Sequence, residues 1–233
     1  MGSGVCVFRF RMRLVGKPRI NAYNGGMGEI RNVVFDLGGV MINYNPGQFI
    51  ADMGYTGKYA EELRDAIFYN PLWQDMDIGR FENYEEALPE FVKSHPDMEK
   101  DIRRFFQPDW FEVYTLKQDT ERILYDWVYD KGYDIYILSN FSKDGFTYVE
   151  NKYPFFKKAK GKVVSAFEKY IKPQPEIYRI LLDRYRLKPE ESVFIDDFQV
   201  NVDAAIAMGM KSIRFVDPVD ARNKLIELGV GTV

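Results

Sequence analysis

Four polar clusters in this 233-residue chain each stand directly after, or just outside, a short apolar element. Asp36 follows 32–35 and precedes Gly38 and Gly39; Ser139 and Asn140 follow 134–138; Asp196 and Asp197 follow 192–195. Lys172 precedes Pro173, which disfavours a helical Lys172, and stands just before a helix expected to begin at Pro175. If the apolar runs are parallel strands, these side chains share one sheet edge, the edge at which open α/β sheets bind ligands. Two adjacent carboxylates at a strand end repel unless a cation relieves them, so Asp196 and Asp197 read as metal ligands rather than solvated loop charges. Asp36, ending a buried strand before two glycines, reads as catalytic rather than as a turn acid. Lys172 and Ser139 complete a set suited to an anionic ligand. Asn140 fits a turn as readily as a ligand contact, and Asn201 either orients an acid or caps its own helix.

The elements that must position these residues alternate strand and helix from Arg31 onward. Strands are expected at 32–35, 134–138, 192–195 and 211–216, and helices at 175–185, 200–208 and 219–228. Leu116, Thr120, Ile123, Leu124, Trp127 and Val128 share one helical face, and Gly132 ends that helix. The pattern predicts an α/β fold: a Rossmann-like, doubly wound parallel sheet with helices on both faces. Residues 47–115 break the rhythm. Helices are expected at 58–69, 84–94 and 97–106, with no buried strand and with Pro71, Gly79, Pro89 and Pro108 as punctuation. We read this as a helical cap inserted into a core of 29–46 and 116–233. Trp73 and Arg80 fall in it and read as packing and surface residues. Residues 1–28 form a basic extension that carries Arg9, Arg11, Arg13, Lys17 and Arg19 without one acidic residue, and residues 1–26, ahead of Met27, read as dispensable.

Composition removes other classes. Apolar residues make up 46% of the chain, enough for a packed core, and the net charge of −3 gives no footprint for nucleic acid. No apolar run approaches the roughly 20 residues that cross a bilayer, so no membrane partner is expected. Cys6 is the only cysteine, which excludes an intrachain disulfide and fits a reducing, cytoplasmic setting. His95 is the only histidine, so a zinc site built on two His is excluded, and its helix-end position disfavours a Ser-His-Asp triad. Neither a Walker A sequence nor G-x-G-x-x-G occurs.

The stretches Val33-Val34-Phe35-Asp36-Leu37-Gly38-Gly39-Val40, Ile135 to Asn140, Lys172 to Tyr178, and Val193 to Asp197 with Asn201 resemble, in order and spacing, the four motifs of the haloacid dehalogenase (HAD) superfamily. The resemblance covers about residues 30–215 and is nearest the branch acting on sugar 1-phosphates, whose first motif also reads Asp-Leu-Gly. It implies a hydrolase of small phosphorylated metabolites in which Asp36 attacks phosphorus and an aspartyl-phosphate is then hydrolysed. It implies Mg2+ held by Asp36, the Gly38 carbonyl, Asp196 and Asp197. Ser139, Asn140 and Lys172 would bind the substrate, Lys172 also holding Asp36 ionised. One departure stands out. The family's usual first motif has a second aspartate, the proton donor and acceptor, where this chain has Gly38. Three outcomes follow: a leaving group that needs little protonation, a substitute from the cap or from water, or a weak catalyst that chiefly binds phosphometabolites. The remaining rival is a metal-independent 2-haloacid dehalogenase.

Overall fold

The computed structural model describes residues 29–231; the basic extension 1–28 lies outside the described residues. The strands are β1 (Asn32–Phe35), β2 (Ile42–Asn43), β3 (Thr115–Leu116), β4 (Asp134–Ser139), β5 (Gly161–Val164), β6 (Ser192–Asp196) and β7 (Lys211–Arg214). Five of them form one parallel sheet in the order β5-β4-β1-β6-β7. All four residues of β1 and all five of β6 are buried, as parallel strands covered on both faces require. The strand period then splits the core. Val33, Phe35, Ile135, Ile137, Val193 and Ile195 face one layer; Val34, Tyr136, Leu138 and Phe194 face the other, against the helix Pro175–Tyr185. The doubly wound α/β sheet expected from the sequence is therefore present.

Two elements escaped the sequence pattern for local reasons. Lys143–Lys152 is helical although Gly145 lies in its first turn, because Ser142 Oγ accepts from Gly145 N at 3.3 Å. Strand β5 starts at Gly161, where a Cβ would lie 2.2 Å from the Tyr185 ring, so the sequence trades a side chain for close helix–strand packing. The expected helix 116–128 is interrupted by a π-turn over Glu121–Tyr125, which rotates Tyr125 inward beside Leu124.

Between β2 and β3 the chain runs through α1 (Pro46–Asp52), α2 (Gly57–Phe68), α3 (Pro71–Asp77), α4 (Tyr84–Ser94) and α5 (Glu99–Phe105). Helices α1 and α3 have Pro at their starts and side-chain N-caps from Asn45 and Asn70. Trp110, fully buried, is the hub of this layer, with ring centroids of Phe105, Phe111, Tyr114 and Trp73 within 4.3 to 5.9 Å. Antiparallel pairing of Ile42 with Leu116 and Asn43 with Thr115 ties the two stems together just beyond β1. Past α3 the chain is fastened to the segment after β5. Ser165 Oγ donates to the Asp77 carbonyl, and Lys169 Nζ donates to the Gly79 carbonyl. Gly79 has φ +71°, and a Cβ there would lie 2.0 Å from the Ala166 carbonyl oxygen, so only glycine allows this approach.

Candidate active site

Register decides which polar residues meet. Phe35 pairs with Ile137 on one side and Ile195 on the other, and Asp36 N donates to Ile195 O at 3.0 Å. Asp36 and Asp196 therefore leave adjacent strands at the same level, with Ser139 one strand away. The structure brings Asp36, Asp196 and Asp197 together: one carboxylate oxygen from each lies within 4.8 Å of the others. Lys172 is inserted among them, 2.8 Å from Asp36 Oδ1 and 2.6 Å from Asp196 Oδ2, and is only 4% exposed.

Each carboxylate is held differently. Asp36 Oδ1 accepts from Leu37 N at 2.7 Å and meets Lys172, whereas no hydrogen bond from the described residues reaches Oδ2. Asp196 is locked: Oδ1 accepts from Phe198 N at 2.8 Å and Asn201 Nδ2 at 3.0 Å, and Oδ2 from Asn201 Nδ2 at 3.1 Å and Lys172. That resolves the alternative left open for Asn201, which orients an acid. Asp197 is the unsatisfied member: its Oδ1 is buried and has no hydrogen-bond partner among the described residues. The Gly38 carbonyl likewise accepts no hydrogen bond among the described residues. Ser139 Oγ makes only a long 3.5 Å contact with Asn140 O, so its hydroxyl is available to another acceptor.

Asn140, expected to contact a ligand, spends both ends of its amide on Lys172 instead. Its Oδ1 accepts from Lys172 N at 2.8 Å and its Nδ2 donates to Lys172 O at 3.1 Å. The geometry makes it the clamp that aims the lysine, because an amide with donor and acceptor both engaged has little left for a ligand. Trp73 packs on Phe68 and Trp110, and Arg80 pairs with Asp75 at the surface, as expected. Among the described residues the His95 ring bonds only the neighbouring Ser94 hydroxyl, at 2.9 Å.

Electrostatics set the demand. Burial, followed by the nearby Asp196 and Asp197, pushes the Asp36 carboxyl up, with Lys172 opposing. Asp197 is pushed up to about 6 by burial and then by Asp196, with Lys172 opposing. Burial works against the Lys172 ammonium, but Asp196 and Asp36 outweigh it and hold it charged. These directions agree on one point: a single ammonium in salt-bridge contact does not balance three converging carboxylates. A divalent cation with a preference for hard oxygen ligands fits the donor set, and the orphaned Asp197 Oδ1 is the atom most in need of one.

Three residues near the site gave no signal in the sequence pattern. Lys117 Nζ donates to Gly39 O at 2.6 Å and faces Asp197. Burial of the Tyr44 phenol, followed by the nearby Asp77, drives it well above the usual range. Asp77 is buried enough to be pushed up, with the Lys172 charge within reach to oppose it. The one available hint was an acid at the C-terminal end of α3, where the helix dipole disfavours it.

Gly39 connects Asp36 to the acidic pair. It has φ +74°, and a Cβ there would lie 2.3 Å from Asp197 Oδ2. Gly39→Ala is therefore expected to displace Asp197 and to weaken divalent-cation binding by about 10- to 100-fold, the usual consequence of disturbing a ligand's support. Calorimetric titration with magnesium checks this; unchanged affinity would mean Asp197 is not a ligand.

Comparisons with known proteins agree with the geometry. A family model for haloacid dehalogenase-like hydrolases matches residues 30–209. Over 208 residues the chain is 22% identical to the D-ribitol-5-phosphate phosphatase of Bacteroides thetaiotaomicron, covering 84% of this chain and 97% of that protein. A stretch of 55 residues is 46% identical to bifunctional epoxide hydrolase 2 of Rattus norvegicus, covering 24% of this chain; the match spans only 10% of that longer protein. The fold is similar to that of a HAD family enzyme from Bacteroides thetaiotaomicron crystallised with magnesium and inorganic phosphate. The TM-score is 0.61 at 20% identity, over 79% of this chain and 93% of that one.

Proposed function

The chain belongs to the haloacid dehalogenase-like hydrolases, and we propose that within that family it is a magnesium-dependent phosphatase of a small phosphate ester, a sugar phosphate. The observation that carries this reading is the trio of carboxylates around Lys172 with one buried carboxylate oxygen left unpartnered. Carbon–halogen displacement by an aspartate has no use for such a cluster; phosphoryl transfer does, because an anionic nucleophile must approach an anionic phosphate. The near full-length likeness to a ribitol-phosphate phosphatase supports the substrate class.

Asp36 Oδ2, the oxygen without a hydrogen bond, attacks phosphorus, and Oδ1 stays fixed by Leu37 N and Lys172. The P–O bond to the leaving group breaks, giving an aspartyl-phosphate that water hydrolyses. Lys172 neutralises charge on the transferring group while holding Asp36 ionised, Ser139 donates its hydroxyl to a phosphoryl oxygen, and Asn140 keeps Lys172 aimed. Asn201 holds Asp196 in its single orientation. Magnesium, held by Asp36, the Gly38 carbonyl, Asp196 and Asp197, would supply the charge that offsets repulsion between carboxylate and phosphate. The helices of 47–115 act as a cap that excludes water and selects the leaving group.

Phosphate release from a panel of glucose 1-phosphate, ribose 5-phosphate and glycerol 3-phosphate tests this. Turnover with magnesium, lost with EDTA and regained with excess magnesium, is the expected result. Chloride release from 2-chloropropionate without metal would replace the reading by a dehalogenase, and ligand binding without turnover would replace it by a binding protein.

A further inference from the structure

We propose that Asp77, at the end of α3, is the proton donor and acceptor of the reaction, the part that Gly38 leaves unfilled. The inference rests on the phosphatase reading and deepens it. Two structural facts define the vacancy. Gly38 has no side chain to move a proton, and a Cβ built on it meets no atom of the described residues within 4 Å, so the position is open. Asp77 is brought to the same edge by a stiff anchorage. Its own carbonyl accepts from Ser165 Oγ, which in turn accepts from Phe141 N at 3.0 Å, immediately after the Ser139-Asn140 pair. Two residues on, Gly79 is held by Lys169 and packed against the Ala166 carbonyl. The end of α3 that carries Asp77 is thus fastened to the core as well as to its own helix.

The side chain has no structural employment. Among the described residues no hydrogen bond or salt bridge engages the Asp77 carboxyl, whereas Asp36 and Asp196 are both held by Lys172. The titratable groups that face it are Lys172 from the core and the Tyr44 and Tyr114 phenols beneath the insert, with Lys169 committed to the Gly79 carbonyl. Burial pushes the Asp77 carboxyl up to about 7, with Lys172 opposing. A carboxyl poised there is present in both protonation states near neutrality, which a group that first gives and later takes a proton requires.

The steps balance. As the bond from Asp36 to phosphorus forms and the bond from phosphorus to the leaving oxygen breaks, the Asp77 acid gives its proton to that oxygen and becomes a carboxylate. Water then attacks phosphorus, its proton passes to Asp77, and the bond from phosphorus to Asp36 breaks. Alcohol and phosphate leave with Asp77 protonated again.

Asp77→Asn changes one atom and should keep the fold, which its melting temperature verifies. At saturating magnesium, kcat/KM for the best sugar phosphate of the panel should fall by about 100- to 10,000-fold. The loss should be much smaller for p-nitrophenyl phosphate, whose leaving group departs without a proton. In the wild type, kcat/KM for the sugar phosphate should decline as pH rises through about 7, where Asp77 loses the proton it must give; in Asp77→Asn that limb should vanish. Adding Gly38→Asp to Asp77→Asn should restore at least tenfold of the lost rate by filling the empty space. A wild-type rate in Asp77→Asn, an equal loss on both substrates, or a wild-type profile without the limb would each overturn the assignment while leaving the phosphatase reading intact. Absence of phosphate release from the wild-type protein would instead remove that reading and this inference with it.

Discussion

Asp36→Asn should abolish phosphate release, by at least about a thousandfold, while the protein remains folded. The amide keeps the shape of the carboxyl, so the 2.7 Å hydrogen bond from Leu37 N survives. What disappears is the nucleophile, since a neutral amide does not form the covalent intermediate. The same substitution removes a buried carboxylate that burial first, and then repulsion from Asp196 and Asp197, pushes toward its neutral form. Without metal, Asp36→Asn should therefore melt at or above the wild-type temperature, and its gain in melting temperature on adding magnesium should shrink. A lost nucleophile combined with undiminished stability separates a functional acid from a structural one, because loss of a structural acid would lower both. Phosphate release within tenfold of wild type would sink the nucleophile assignment.

How much of this was legible beforehand depended on whether the signal was local. Strands β1, β4 and β6 announce themselves as apolar runs that stop at a polar residue, because both sheet faces are covered and the chain becomes polar only where it leaves the core. The convergence of Asp36, Ser139, Lys172, Asp196 and Asp197 followed from that alone once a parallel sheet was assumed. The directions of side chains did not. Asn140 reads equally as a turn former or a ligand contact, and only the position of the Lys172 backbone, 32 residues away, shows it to be a clamp. Asn201 had two readings for the same reason. The π-turn over Glu121–Tyr125 altered a helical face that a strict 3.6-residue period assigns to other residues. Asp77 was invisible because its place depends on Gly79 docking against Ala166, a contact between segments nearly 90 residues apart that leaves no periodic trace. Local chemistry therefore located the charged cluster at the sheet edge, and tertiary packing was needed to orient its amides and to place Asp77.

Lys172→Met should be the substitution that damages both stability and rate. The ammonium is the only group in salt-bridge contact with Asp36 and Asp196 among the described residues, and all three side chains are at most 8% exposed. Removing it strands buried carboxylates without a counter-charge, a change that typically costs about 3–5 kcal/mol. Asp36 already lies above the ordinary carboxylate range with Lys172 pulling it down, so loss of the lysine moves it further from the ionised form that attacks. A fall of more than about a hundredfold in phosphate release follows from that and from the lost charge on the transferring group. Magnesium should recover part of the stability, because it occupies the same field, but not the rate, because it does not replace the ammonium at Asp36 Oδ1. Arginine should not rescue. Asn140 fixes the backbone at this position, the Nζ lies over the Phe194 ring at 5.3 Å, and a planar guanidinium needs room that a fully enclosed point charge does not. A double substitution, Asp36→Asn with Lys172→Met, should be less destabilised than the two separate effects added together, since each change removes part of the other's cause. Additive melting temperatures would show that the 2.8 Å pair carries no coupling, and an unchanged rate in Lys172→Met would show that the lysine serves neither the nucleophile nor the phosphate.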